Sequence, residues 1–217
     1  MLSIHNFAVF EGIDGSGTTT QLRILAERFE TGLLPDFPPP PFYGTFEPTG
    51  GPVGCLIRSV LKGEIPLEPA TVARLFAADR NEHLYGKDGI AGRCQRGELV
   101  VSDRYLPSSL VYQGITCGEE LPRRLNADFP LPELLLFFDI DPQIAGRRLK
   151  TRNGRDIYEY LEFQIKARDS YRALLPEYEE AGVRVEYIDA SAKIGEVAEQ
   201  VWRAVQKMPI ISRMGKR

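Results

Sequence analysis

Four short runs of almost unbroken apolar residues punctuate the chain: FAVFE (7–11), ELVVSD (98–103), ELLLFFDI (133–140) and VRVEYIDA (183–190). A run of this kind suits a strand covered on both faces, as in a parallel sheet between layers of helices. Between the runs the period changes. Leu22, Leu25, Ala26 and Phe29 recur at helical spacing in a segment opening at about Gly17. Further helices are expected over 69–84, 142–149, 158–181 and 194–206. Strand and helix alternate, so the pattern predicts an α/β fold. Its central sheet is parallel, helices lie on both faces, and ligands sit outside the carboxyl ends of the strands.

The second strand is the weakest. Four consecutive prolines, Pro38 to Pro41, cannot donate to a sheet ladder. Residues 34–41 therefore read as a stiff extended surface linker, leaving only 43–46 to pair. A proline-recognition ligand is the other reading of such a run. The basic ending SRMGKR reads as a solvated tail.

At 217 residues the chain is long enough for one domain with a substantial core, and 43% hydrophobic with 26% charged residues is ordinary for a globular protein. The formal net charge of -3 gives no global attraction for nucleic acid or an anionic membrane, so a polyanion must be met by a local cluster of donors. Cys55, Cys94 and Cys117 are odd in number and far apart, which suits free thiols in a reducing cytosol. His5 and His83, the only histidines, are too few for a zinc cluster, and His83 reads as a packing or helix-surface residue. No export signal and no apolar stretch near the roughly 20 residues of a membrane span is found, so a cytoplasmic location is expected.

The first apolar run leads into EGIDGSGTTT, one residue away from the phosphate-loop pattern G-x-x-x-x-G-K-[ST]. Gly12 and Gly17 hold both glycine positions and Thr19 the hydroxyl that would ligate magnesium, but Thr18 stands in the lysine position. The loop can still aim backbone N–H groups at phosphate oxygens from a helix N-terminus. It lacks a mobile positive charge, a donor worth roughly 100- to 1,000-fold in rate. Read alone, 12–20 could equally be a glycine-rich strand-to-helix turn.

Three downstream segments add chemistry. LFAADRNEH sets Phe76 and Arg80 four apart, an aromatic plane beside a guanidinium fork that suits a flat base with a carbonyl edge. VVSDRYLPSSLVYQG places Asp103 and Arg104 at a strand's carboxyl end, one fit to hold magnesium and the other to grip phosphate. GRRLKTRNGRDIYE gathers Arg147, Arg148, Lys150, Arg152 and Arg155, interrupted by Asn153-Gly154 as in a mobile loop tip. A charge run is otherwise a solvated helix face.

Together these motifs resemble the thymidylate kinase family over about residues 7–206, with EGIDGSG, EPTGGPVG, LFAADR, SDRYLPSSLVYQG and GRDIYE in family order. DRY..SS..YQG after LFAADR is the most specific part. The resemblance implies a single domain over 1–217 with a three-layer P-loop nucleoside-monophosphate-kinase-like fold and an arginine-rich lid at about 147–158. It implies ATP-dependent phosphorylation of dTMP to dTDP with Mg2+, and a homodimer; from the charge and the lack of a spanning stretch no nucleic-acid or membrane partner is expected. Gly12, Ile13, Asp14, Gly15, Ser16, Gly17, Thr18 and Thr19 would form the ATP loop, with Thr19 and Asp103 toward the metal. Asp14 would hold the 3′-hydroxyl of the acceptor. Phe76 would stack on thymine, Arg80 would reach its carbonyl edge and Arg104 would hold the acceptor phosphate. Ser108, Ser109 and Gln113 would line the base pocket, and Tyr112 would crowd the sugar 2′ position. Asp156, Tyr158 and Glu159 match the stretch that closes the lid region, with Tyr158 toward the substrate. IDAS (188–191) resembles the loop beside the ATP base.

Two departures stand out. Thr18 replaces the family lysine, and Phe46 stands where many bacterial relatives read an arginine. Family members with glycine at the Gly15 position supply a catalytic arginine from the lid. Arg152 or Arg155, with Arg148 in reserve, is therefore expected to supply the charge that Thr18 lacks, worth roughly 1,000- to 100,000-fold when delivered as an arginine finger. Two other readings stand beside this one: a kinase for another deoxynucleotide or deoxynucleoside, and a pseudokinase that binds nucleotides or partners without transferring phosphate.

Overall fold

The computed structural model describes residues 3–32, 39–149 and 157–212, with side chains in the last stretch described from residue 160 onward. Five strands form one sheet: β1 (Ser3–Gly12), β2 (Phe42–Phe46), β3 (Leu99–Asp103), β4 (Leu131–Asp139) and β5 (Arg184–Asp189). Their order is β2-β3-β1-β4-β5, and every pairing is parallel. The helices are α1 (Thr18–Glu30), α2 (Pro52–Leu61), α3 (Pro69–Tyr85), α4 (Ile90–Gln95), α5 (Leu106–Ser108), α6 (Gly114–Cys117), α7 (Glu120–Asn126), α8 (Pro142–Leu149), α9 (Ile157–Glu180), α10 (Ile194–Val205) and α11 (Pro209–Ser212). A π-helical turn, Ser109–Gln113, joins α5 to α6.

The apolar runs become the core. Phe7 to Phe10, Leu99 to Val101 and Leu134 to Phe138 are all buried, because β1, β3 and β4 lie inside the sheet with helices on both sides. Side chains alternate along β1, so Phe7, Val9 and Glu11 share one face and Ala8 and Phe10 the other. The first face meets α9, where Tyr171 packs on Phe137, the register partner of Glu11. On the other face α1 runs along β1, β2 and β3 and touches α10.

β1 begins at Ser3, earlier than the apolar pattern indicates. Residues 3–6 are polar apart from Ile4, and the register with β4 shifts between Ile4 and Ala8. Asn6 takes a left-handed φ of 63° and its N–H donates to the Glu133 carboxylate at 2.8 Å. β2 forms at the edge, where the proline run meets the ladder as an acceptor: the Leu99 N–H donates to the Pro41 carbonyl at 2.8 Å. The basic ending from residue 213 on lies outside the described residues. Among the described residues no helix is long and apolar enough to cross a membrane.

β1 is the topological switch. The chain leaves it toward β2 on one side, and from β3 it crosses β1 to reach β4 on the other. An open α/β sheet binds ligands in the crevice at such a point, beyond the carboxyl ends of the strands.

Candidate active site at the carboxyl ends of the strands

β1 ends at Gly12 and α1 begins at Thr18, with the glycine loop between them. A Cβ on Gly12 would come within 2.8 Å of the Phe138 carbonyl oxygen. One on Gly15, whose φ is +83°, would come within 2.7 Å of the Ala145 carbonyl. Only glycine fits at either place. The α1 N-terminus has no side-chain cap and no acidic residue in its first turn, which leaves its amides and dipole available to an anion. Thr18 is 5% exposed and lines the cleft above the loop. It carries a short neutral hydroxyl where a lysine would carry an ammonium on a four-carbon stem.

β3 delivers Asp103 beside this loop. The Thr19 hydroxyl donates to Asp103 Oδ2, while Asp103 Oδ1 is buried without a hydrogen-bond partner. An unpartnered carboxylate oxygen next to a hydroxyl fits Mg2+, which is typically held by one or two carboxylates plus substrate phosphates and water. Among the described residues no cluster of three or more His, Cys, Asp or Glu side chains offers a competing metal site. Ser16 Oγ is a second buried, unpartnered oxygen in the loop.

Arg104, next in the chain, has a left-handed φ of 77° and is 16% exposed. Its Nη1 donates to the Gly12 carbonyl and to the Tyr171 hydroxyl at 3.1 Å, and Nη2 donates to Asp14 Oδ1 at 3.2 Å. Asp14 is a hub. Its Oδ1 also accepts from the Tyr112 hydroxyl at 3.2 Å, and its Oδ2 accepts from Tyr160 and Gln164 Nε2, each at 3.4 Å. The Asp14 N–H donates to Gln164 Oε1 at 3.1 Å. Burial raises the Tyr112 phenol above its ordinary range, so it stays a protonated donor to that carboxylate.

Around these groups opens a cleft of about 1480 Å³ walled by the loop from Asp14 to Thr20, Phe46, Arg58, Lys62, Asp103, Arg104, Arg147, Arg148 and the β5–α10 turn. A single small-molecule site spans roughly 300–1,000 Å³, so there is space for two nucleotides. Arg148 donates to the Ala190 carbonyl at 2.9 Å and the Gly15 carbonyl at 3.4 Å, tying α8 to the loop and to that turn.

Phe76, Arg80, Ser108, Ser109 and Gln113 are not among the residues that wall this cleft. Arg80 is 1% exposed, and its guanidinium donates to Glu47 Oε2 at 2.7 and 3.0 Å, Ser109 Oγ at 2.9 Å, the Tyr105 carbonyl at 3.1 Å and Asn126 Oδ1. Most of its donor fork is thus engaged within the protein. Phe76 is half-buried on the same helix. Gln113 is buried with Oε1 unpartnered, whereas the Ser108 hydroxyl is taken up by Glu11 at 2.7 Å. His83 packs in this network, bridging Thr45 at 2.7 Å and Glu47 at 3.1 Å. Lys150, Arg152, Arg155 and Asp156 lie outside the described residues, as do the side chains of Tyr158 and Glu159.

Sequence reasoning missed several partners. Arg58 reaches from α2 to the Pro48 and Thr49 carbonyls and sits 5.7 Å from the Phe46 ring centre, putting a cation beside the position that lacks the family arginine. Tyr160, Gln164 and Tyr171 project from one face of α9, and their spacing of four and seven was the signal that could have found them. Glu11 was read only as the end of an apolar run. It is fully buried, and burial pushes its carboxyl up from the ordinary 4.5 to about 7, against the opposing pull of Arg104 and of hydrogen bonds from Ser108, Tyr171 and the Tyr105 N–H. The folded chain therefore holds this proton more tightly than the unfolded chain. Its contribution to stability is complete below about pH 4.5 and disappears as pH rises through about 7, on the order of 3 kcal/mol. In urea unfolding, Glu11→Gln should remove that loss between pH 5 and pH 8. An identical loss in both proteins would rule the assignment out.

A parallel five-stranded sheet with a phosphate loop after its central strand and a carboxylate at the end of the neighbouring strand is the architecture of a P-loop kinase fold. The family model for thymidylate kinase matches residues 10–201. A Treponema pallidum protein named "Putative thymidylate kinase" is 41% identical over 201 residues, covering 91% of this chain and 93% of its own. A Pyrobaculum aerophilum protein named "Probable thymidylate kinase" is 39% identical over 204 residues, covering 93% and 97%. The chain belongs to the thymidylate kinase family.

Proposed function

We propose that the chain transfers the γ-phosphoryl group of ATP to dTMP, with a lid arginine supplying the charge absent at Thr18. The observation that carries this reading is the convergence of the glycine loop, Asp103 and Arg104 on one cleft large enough for both nucleotides. The loop amides and the α1 N-terminus bind the ATP phosphates, and Arg104 takes the dTMP phosphate in place of Asp14 while Nη1 keeps the Gly12 carbonyl and the Tyr171 hydroxyl. Asp14 and Tyr112 meet the sugar, and Phe76, Arg80, Ser109 and Gln113 the base, with Ser108 supporting from behind. Mg2+ held by Asp103 and Thr19 would neutralise charge on the β- and γ-phosphates. The attacking dTMP phosphate oxygen is already anionic, so no general base is needed; alignment and charge neutralisation carry the step. Arg152 or Arg155 closes over the phosphates, and Arg148, anchored on backbone carbonyls, frames the ATP side.

Thr18 is the one feature that favours a second reading, a pseudokinase that binds nucleotides without transfer. Retention of Asp103, Arg104 and Thr19 in one cleft weighs against it. A single-domain cytoplasmic homodimer without a nucleic-acid partner is the assembly the family resemblance supports; sedimentation as a monomer would remove the dimer. A panel of dTMP, dUMP, dCMP and thymidine with Mg2+ and ATP tests the substrate assignment by ADP release. Selectivity for dTMP is expected, and equal or greater turnover of dCMP or thymidine would assign a different acceptor.

A further inference from the structure

From Phe7 on, the first face of β1 is apolar until its penultimate residue, where Glu11 is fully buried. Every polar atom that reaches this carboxylate can donate to it. Oε1 accepts from the Tyr105 N–H at 2.9 Å and the Ser108 N–H at 3.4 Å, and Oε2 from the Ser108 hydroxyl at 2.7 Å and the Tyr171 hydroxyl at 2.9 Å. A buried carboxylate is costly to hold, and an apolar residue would pack here at less cost. A carboxylate that persists in such a place points to a positional task.

The direction of the hydrogen bonds identifies the task. Arg104 Nη1 can only donate, so the Tyr171 hydroxyl, 3.1 Å away, must accept from it. The single proton of that hydroxyl is then directed away, to Glu11 Oε2 or to Ser108 Oγ, which lies 2.9 Å away and itself bonds Glu11. By either path the chain of donors that starts at the Arg104 guanidinium ends on the Glu11 carboxylate. The same carboxylate also fixes the backbone just after Arg104 through the Tyr105 N–H, and the Arg104 N–H is held by the Phe10 carbonyl at 2.9 Å. Three successive β1 residues, Phe10, Glu11 and Gly12, thus hold a residue whose own backbone is left-handed, a conformation uncommon for arginine.

We propose that Glu11 and Tyr171 are a buried positioning pair that aims the Arg104 guanidinium at the acceptor phosphate; this rests on the reading of Arg104 as the dTMP-phosphate donor. Neither residue touches substrate. Asp14 also bonds Arg104, but it is 48% exposed and shared among four donors, so it does not fix the fork alone.

The test is calorimetric titration with dTMP and with thymidine at pH 8, where the Glu11 carboxyl is ionised. The proteins are wild type, Glu11→Gln, Tyr171→Phe, Arg104→Ala and the Arg104→Ala/Tyr171→Phe double variant. Tyr171→Phe keeps the ring that packs on Phe137 and should weaken dTMP about 10-fold, as expected for a lost hydrogen bond to a charged group, with thymidine affinity within about twofold of wild type. Tyr171→Phe should cost nothing further for dTMP once Arg104 is alanine. Glu11→Gln should behave like Tyr171→Phe; if it fails to fold, Tyr171→Phe and the double variant decide. Parallel weakening of both ligands, unchanged dTMP binding, or full additivity in the double variant would overturn the positioning role. A wild type that binds thymidine as tightly as dTMP would instead overturn the underlying reading of Arg104.

Discussion

Asp103→Asn is expected to lower kcat at least about 1,000-fold while leaving the fold and the affinity for dTMP near wild type. Asparagine is isosteric, and its amide oxygen can still accept from the Thr19 hydroxyl as Asp103 Oδ2 does now. The substitution removes the charge and the acceptor capacity of Oδ1, which is buried, unpartnered and beside the phosphate loop. Among the described residues no group of three or more His, Cys, Asp or Glu side chains is placed to hold a metal in its stead. ADP release at saturating ATP and dTMP measures the effect, and melting temperature confirms the fold. A variant retaining a tenth of wild-type turnover would show that Asp103 does not hold the metal.

Arg155→Ala or Arg152→Ala should lower kcat at least about 100-fold, with ATP affinity changing far less, because an arginine delivered in the transition state acts on developing charge. The cleft explains why the effect should be large. Thr18 is short and neutral, and Arg148 is already engaged with the Gly15 and Ala190 carbonyls. Thr18→Lys supplies the discriminating control. In the wild type it should help modestly or clash with the arginine; in the impaired arginine variant it should restore part of the lost turnover. Near-native turnover in both arginine variants would place the compensating charge elsewhere, with Arg58 and Lys62 on the cleft wall as the next residues to replace.

Much of the fold was legible because the inner strands and long helices carry strong periodicity. The run 133–140 became Leu131–Asp139, and the helical pattern over 194–206 became Ile194–Val205. Legibility failed where local composition competes with tertiary context. α2 was not among the expected helices: Pro52 opens it inside the glycine- and proline-rich EPTGGPVG, and it buries Gly54 and Ile57. The start of β1 is mostly polar, shifts register against β4 and is held there by Glu133. At the site, motif spacing singled out Thr19, Asp103 and Arg104 and the family resemblance added Asp14; the structure pairs Thr19 with Asp103 and Arg104 with Asp14. Residues that support them from a distance in sequence were invisible to motif spacing. Glu11 sat inside an apolar run, and Tyr171 lies 160 residues further along the chain. Motif spacing put Arg80 forward as a donor to a base, whereas in the structure it is buried with its fork engaged on Glu47, Ser109 and Asn126.

The cleft is expected to transfer phosphate despite Thr18. The most direct test is formation of dTDP by the purified wild-type chain with ATP, Mg2+ and dTMP. Turnover in the range of about 1–100 per second, typical of kinases, is the predicted result. Tight binding of both nucleotides with no dTDP formed would contradict it, and would mean that the missing lysine had not been replaced.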